Sequence, residues 1–304
     1  MRIATMQVFQ RGLDSMLDQQ TQLYKTQLQL SSGQRFTSPA DDPTAAAQVL
    51  GLSESIAITA QYQSNANAAE TKLQREESVL AGVVDALQAA RDLALQGNNA
   101  TYSAEDRRAM AQEVRQITEH VLGLVNTQDA NGEYLFSGVQ SQTRPFSYDA
   151  SSVGGDVAYA GDQGQRKVRI SASREIPSGD SGYDVFMKIH NAAGNGYQDV
   201  LTTLHRLATD LEANMPDSDR ITEIDNALEH TLQIRTRVGA RLNAIEREND
   251  VNSAYSIQLQ ASLSAVRDLD MTQAVADLSR QTLVLQSAQQ AFVRVQGLSL
   301  FNYL

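Results

Sequence analysis

Two stretches of the chain place apolar or small residues at every seventh position, and this repeat restricts the fold more than any other feature. A repeat of seven lines one narrow side of a helix, which is stable in water only when another helix covers it. At about 1.5 Å per residue, a helix over residues 43–96 is about 80 Å long, beyond the radius of a compact domain. The repeat therefore predicts two long helices in a rod. The columns are Leu52, Thr59, Ala66, Leu73, Leu80, Leu87 and Ala94, then Ile224, Thr231, Val238, Ile245, Asn252, Leu259 and Val266.

Local signals predict where these helices begin and end. Asp42 followed by Pro43 fits an N-cap and a first helical position, and Gly97 fits the end of the same helix. Ser103 and Asp106 have the spacing of a capping box, which predicts a third helix running to about residue 130. Helix is predicted to return near residue 199, and the second long helix follows residue 216.

Both ends of the chain show the same repeat with many glutamines in it. One end carries Phe9, Met16, Leu23 and Leu30 beside Met6, Leu13, Gln20 and Gln27; the other carries Leu278, Leu285, Phe292 and Ser299 beside Ala274, Gln281, Ala288 and Val295. Between residues 271 and 304 only Asp277, Arg280 and Arg294 are charged, which is unlike a solvated tail.

We therefore expect two terminal helices whose apolar sides have no cover within the chain and become buried against further copies of it. The predicted assembly interface consists of Met6, Phe9, Leu13, Met16, Leu23, Leu30, Leu278, Leu285, Phe292, Val295 and Leu298. Five polar residues occupy column positions on the terminal helices and on the second long helix, and two interpretations of them stay open. Either they are exposed and the apolar side of each helix lies one position away, or they make polar contacts that fix the register between helices. They are Gln20, Gln27, Gln281, Asn249 and Asn252.

The amino-acid composition of the sequence changes between the helical stretches. Residues 134–189 are rich in Gly, Ser and Asp, and the alternating runs 156–159 and 167–170 predict short strands. The predicted fold is mainly α with a small β-rich inserted domain, in an elongated rod that runs out and back. Three domains are expected: 1–40 with 268–304 as a terminal coiled coil, 41–133 with 199–267 as the long-helix rod, and 134–198 as the β-rich outer domain.

Composition and motifs argue against several classes of function. The net charge of −11 opposes binding to nucleic acid or anionic membranes, and no apolar run is long enough to span a bilayer. The sequence has no cysteine, and its four histidines lack metal-ligand spacing. Asp41 and Asp42 are better explained as helix-capping groups than as a catalytic pair. We therefore predict a protein that is not an enzyme and has no cofactor or metal.

Three segments resemble bacterial flagellins and their relatives. They are LSSGQR with PADDP at residues 30–43, LQAARDLALQ with NNAT at 87–101, and DLDMTQAVADLSRQTLVLQSAQQAF at 268–292. Within that family, the opening MRIATMQVFQ, the segment NGEYLFSG at 131–138 and the ending SLFNYL resemble the branch that joins the flagellar hook to the filament. Ala89 departs from the family pattern, in which a further Arg is usual.

The resemblance implies a flagellin-like structural subunit with terminal helices in an inner tube and the β-rich part outside. It also implies a homo-oligomeric ring between hook-associated protein one, on the hook side, and flagellin, on the filament side. Export would proceed without a cleaved signal peptide and with a dedicated chaperone, so the expected location is extracellular, in the flagellum. The alternative within the family is a flagellin that polymerises into the filament itself.

Overall fold

A computed structural model describes residues 2–152 and 155–297 and confirms the mainly helical fold with strands inserted between the helices. Two helices are much longer than the others, at the places that the repeat of seven predicts. The helices of the described residues are α1 (Arg2–Ser32), α2 (Pro43–Gly97), α3 (Ala104–Val125), α4 (Val200–Glu212), α5 (Asp219–Arg267) and α6 (Met271–Gly297).

The inserted segment contains three antiparallel pairs of short strands. In the first pair Phe146 lies opposite Tyr159, and in the second Val168 lies opposite Ile176. A short π-helical turn, Tyr183–Met187, follows the second pair. The strands are β1 (Phe146–Asp149), β2 (Asp156–Tyr159), β3 (Lys167–Arg169), β4 (Glu175–Pro177), β5 (Ile189–His190) and β6 (Tyr197–Gln198).

Most predicted helix ends are confirmed, because the local capping groups act as expected. Asp42 Oδ1 accepts the N–H of Ala45 at 2.9 Å at the start of α2, and Gly33 ends α1 with a φ of 69°, where glycine is favoured. The predicted end of α3 near residue 130 is wrong. The helix stops at Val125 because the Asn126 side chain bonds both the N–H and the C=O of Phe146, each at 3.0 Å.

The chain divides into two compact units, which we call the terminal unit (Met1–Ile58 with Ala254–Leu304) and the central unit (Thr59–Ser253). The core of the central unit combines the columns of α2 and α5 with α3, α4 and residues of the inserted segment. Phe136, Phe146 and Phe186 pack there with ring centroids 5.0 and 5.8 Å apart. The three-domain division expected from the sequence stays a prediction.

In the terminal unit, α1 packs against α6. The segments that follow α1 and precede α6 are joined by two main-chain hydrogen bonds. Arg35 N–H donates to the C=O of Arg267 at 2.8 Å, and Leu269 N–H donates to the C=O of Gly33 at 3.0 Å. These bonds hold the two connecting segments together in an antiparallel arrangement.

Candidate assembly interface

The two terminal helices meet along a seam of residues spaced alternately by three and four. On α6 the less exposed positions are those that the sequence predicts: Ala274, Leu278, Gln281, Leu285, Ala288 and Phe292. The Phe292 ring lies 4.8 Å, centroid to centroid, from the ring of Phe9. A Cβ added to Gly12 would lie 3.5 Å from the same ring, an ordinary contact distance, so Gly12 faces Phe292 across the seam.

The predicted phase of α1 is correct for one column and wrong for the other. Met16, Leu23 and Leu30 are half-buried as predicted, but their companions are Gly12, Gln19 and Thr26, each one position before the predicted Leu13, Gln20 and Gln27. The expectation that both terminal seams lack cover within the chain is also wrong. Each seam covers the other, because α1 and α6 pair in one chain.

A second apolar surface on α1 remains exposed, and we call it the outer stripe. At about 100° per residue its members fall within an arc of about 100° beside the seam. Their exposed fractions range from 38% to 63%. The outer stripe consists of Phe9, Leu13, Leu17, Tyr24 and Leu28. Exposed apolar residues on α6, among them Val275, Leu283 and Val293, accompany it.

The predicted interface residues therefore lie in different environments. Leu13 belongs to the outer stripe alone, whereas Phe9 is a member of that stripe whose ring also contacts Phe292 across the seam. The half-buried residues Met16, Leu23, Leu30, Leu278, Leu285 and Phe292 belong to the seam between α1 and α6. Met6 and Val295 lie within α1 and α6, but their side chains are outside the described part, and Leu298 is outside it altogether. The assignment of these residues to an interface between copies stays a prediction.

The sequence interpretation missed Leu17, Tyr24 and Leu28. They follow Leu13, which the prediction placed in the seam, in successive steps of four, seven and four residues. The available signal was the second run of apolar residues in steps of four, which makes the apolar side of α1 wider than a single helix contact covers.

Electrostatics in the terminal unit is local and weak. Lys25 Nζ lies 2.7 Å from Asp41 Oδ1, and that hydrogen bond lowers the pKa of Asp41, which main-chain N–H groups of Thr37 and Ser38 also lower. Asp42 caps α2, so the capping interpretation is confirmed for Asp42, whereas Asp41 accepts hydrogen bonds from Lys25 and from the N–H groups of Thr37 and Ser38 and does not cap that helix. The unit has seven basic and eight acidic residues, against 18 and 28 in the central unit. Its surface therefore repels another copy little.

The polar residues of the predicted columns divide between the two interpretations. Gln20 and Gln27 are exposed flanks. Asn249 Nδ2 donates to Asn67 Oδ1 at 3.0 Å, and Asn252 Nδ2 donates to the C=O of Ile170 at 2.9 Å. The two asparagines thus fix α5 against α2 and against the end of β3.

The described residues offer little else as a site of chemistry. Across 2–152 and 155–297, no cluster of three His, Asp or Glu side chains is placed to hold a metal ion. None of the helices described is long and apolar enough to cross a membrane. The apolar surface of the terminal helices is accordingly the feature with the clearest capacity for binding.

Comparison with known proteins agrees with this architecture. Residues 3–141 match the model of the bacterial flagellin N-terminal helical region, and residues 221–304 match that of the C-terminal helical region. The chain therefore belongs to the bacterial flagellin family.

Particular relatives resemble the chain from end to end. The flagellar hook-associated protein 3 of Escherichia coli (strain K12) is 29% identical over 320 residues, covering 99% of each chain. The protein of that name from Salmonella typhimurium is 27% identical over the same shares. The crystal structure of flagellar hook-associated protein 3 from Legionella pneumophila covers 72% of this chain and 98% of its own, with 21% identity and a TM-score of 0.67, and shares the fold.

Proposed function

We propose that this chain is a structural subunit of the bacterial flagellum that forms the adaptor ring joining hook to filament. Its likeness over 99% of both chains to hook-associated protein 3 of Escherichia coli supports the junction role over that of a filament flagellin. In this role it contacts hook-associated protein one on one side and flagellin on the other. It acts without catalysis, outside the cell, after export without a cleaved signal and with a dedicated chaperone.

The observation that carries self-assembly is the outer stripe. The seam between α1 and α6 is already covered in one chain, yet Leu17 and Tyr24 remain 53% and 63% exposed on an adjacent side of α1. Apolar residues aligned along a helix are stabilised when a further helix removes them from water. A second copy whose α6 surface meets this stripe would repeat the same contact around an axis and close a ring.

Glutamines border the apolar residues of this surface. Gln20 and Gln27 are exposed on the same side of α1 as the outer stripe, and α6 contributes Gln286 and Gln290. Uncharged amides can hydrogen-bond to a neighbouring helix without the cost of burying a charge. They can also be left in water without destabilising the free subunit, which suits a protein that is exported before it assembles.

The test distinguishes assembly between copies of the chain from the pairing of α1 with α6 within one chain. Replacing Leu17 and Leu28 with Asp leaves the α1–α6 seam intact but puts two charges where a neighbour must bind. We expect normal helix content and normal export to the medium, with loss of swimming and of filaments on hooks. The matched control is Gln7→Asp with Gln22→Asp, which adds the same charge on the polar side of α1 and should leave motility intact.

Two results would contradict the proposal. Normal filaments in the Leu17→Asp, Leu28→Asp strain would exclude the outer stripe as the assembly surface. A strain lacking the whole chain should have hooks without filaments and secrete unpolymerised flagellin; if it instead kept filaments, the junction role would be wrong. Added to filament seeds, the purified chain should stop after a thin layer, whereas unlimited elongation would favour the filament flagellin alternative.

A further inference from the structure

A buried cluster of charged side chains lies in the central unit. It consists of Glu76 on α2, Asp180 in the segment between β4 and the π-helical turn, and Arg241 on α5. Glu76 and Asp180 are only 2% and 3% exposed. Glu76 Oε1 accepts the main-chain N–H of Asp180 at 3.3 Å, so the cluster joins the inserted segment to both long helices.

The cluster contains two acids but one base. Arg241 donates from Nη1 and Nη2 to the two carboxylate oxygens of Asp180 at 3.0 and 2.9 Å, and Gln165 Nε2 adds a third bond at 2.8 Å. Asp180 is therefore fully paired. Glu76 has no comparable cation among the described residues, and an unpaired buried carboxylate is strongly destabilising.

The neighbouring charges do not supply the missing cation. Lys72, one turn before Glu76, lies 2.7 Å from Glu133 and 3.5 Å from Asp129, and Arg166 is 3.5 Å from Glu133. These four groups line the same small cavity as Glu76 and Asp180 and are occupied with one another. A proton on Glu76 thus remains the simplest way to balance the cluster.

The pKa of Glu76 is raised to about 8, first by burial and next by the negative charge of Asp180, while the opposing effect of Arg241 is smaller. With this pKa the Glu76 carboxyl is mostly protonated at neutral pH, so Glu76 and Asp180 together carry one negative charge, which Arg241 balances. When Glu76 loses this proton, two neighbouring carboxylates repel each other and a single guanidinium cannot offset both charges.

We propose that Glu76, Asp180 and Arg241 form a proton-dependent latch that holds residues 178–182 against α2 and α5. With the proton present, the segment is held by the carboxyl pair and by Arg241. Without it, Asp180 and the adjoining residues move away from Glu76 into water. The N–H of Gly182 donates to the C=O of Phe136 at 2.8 Å, so opening also loosens the aromatic cluster.

The pH range of the latch follows from linkage. A carboxyl group with a raised pKa in the closed state stabilises that state fully below its ordinary value of 4.5, and the contribution is lost as the pH rises to about 8. Opening should therefore increase by about 50-fold between about pH 6 and pH 8 and level off above that range. Acidic surroundings close the latch, and alkaline surroundings open it.

Hydrogen exchange of the full chain, followed by mass spectrometry, tests the latch. Protection of peptides covering residues 178–187 is measured from about pH 6 to pH 9.5 and corrected for the intrinsic pH dependence of exchange. Opening should rise with pH in the natural chain and stay constant in Glu76→Gln, whose amide cannot ionise. The matched control is Glu77→Gln, because Glu77 is half-exposed and paired with Arg235, 2.5 Å away; it should keep the natural pH dependence.

Equal protection of this segment at pH 6 and pH 8 would overturn the proposal, as would a pH dependence that persists in Glu76→Gln. A second measurement needs no variant. In natural protein labelled with ¹³C at glutamate carboxyl groups, one carboxyl carbon should titrate near pH 8. If every glutamate titrates below about pH 6, the latch does not exist.

Discussion

The central and terminal units use the same repeat of seven but bury it to different degrees. In the central unit, Leu73, Leu80 and Leu87 of α2 are completely buried, because α3, α4 and the inserted segment join the same core. In the terminal unit, Leu23 and Leu285 stay half-buried, because the contact between α1 and α6 leaves part of each side chain in water. The spacing of apolar residues thus predicts which side of a helix is apolar, while the number of neighbouring elements decides how far that side is buried.

The two units also differ in net charge. The central unit has ten more acidic than basic residues, whereas the terminal unit has one more. A strongly acidic unit repels its own copies and stays soluble, while a nearly neutral unit with exposed apolar residues associates readily. By charge and by exposed apolar surface, the terminal unit is thus the better candidate for contacts between copies.

The largest expected difference concerns truncation of one leucine in each unit. Leu80→Ala should lower the free energy of unfolding by about 2–5 kcal/mol, because it leaves a cavity in a closed core. Leu285→Ala should cost less than about 1.5 kcal/mol, because water already reaches part of this side chain. Urea unfolding followed by circular dichroism measures both, and equal losses would contradict the comparison.

A smaller effect is expected at the start of α3 in the central unit. The Ser103 hydroxyl oxygen accepts the N–H of Asp106 at 3.2 Å, so Ser103→Ala leaves that donor without its cap and should cost about 1 kcal/mol. The same urea experiment applies. Ser78→Ala, an exposed change in the interior of α2, is the control and should cost nothing. A loss of the same size at Ser78 would show that capping is not the cause.

The smallest effect is expected in the terminal unit at Lys25. Its ammonium group pairs with Asp41 on the surface, where water and salt screen the attraction. Lys25→Ala should leave the unfolding midpoint at neutral pH unchanged within error. Because the pKa of Asp41 is lowered, any contribution is present above its ordinary pKa and lost as the pH falls through the lowered value. A large shift at neutral pH would contradict the weak electrostatics of this unit.

Helix spacing and capping chemistry were readable from the sequence because both depend on near neighbours. The predicted α2 column is buried from Thr59 to Ala94 and half-buried at its first member, Leu52, and the Ser103 cap forms as predicted. The end of α3 was not readable. The end of this helix depends on hydrogen bonds from the Asn126 side chain to the main chain of Phe146, twenty residues away. No local sequence pattern predicts that contact.

The α1 seam shows a different limit. Hydrophobicity favoured Leu13 for the second column, but in the structure the half-buried Gly12 faces the Phe292 ring and Leu13 is exposed. Apolar character alone therefore does not identify the residues that face the partner helix.

Glu76 was missed although a signal existed. It is in heptad step with Ala69, Val83 and Ala90, all buried, so a charged residue occupies an apolar column. Its partner Asp180 lies 104 residues further on, and only the fold brings the two together.

The pairing of α1 with α6 also sets an order of events when the chain folds. Phe9 and Phe292 belong to the first and last helices, so their contact closes nearly the whole chain into one loop. Contacts between residues so distant in sequence form slowly, after the local ones. The pair can therefore form only when both ends of the chain are present, and until then the seam side of α1 lacks the cover that α6 gives it.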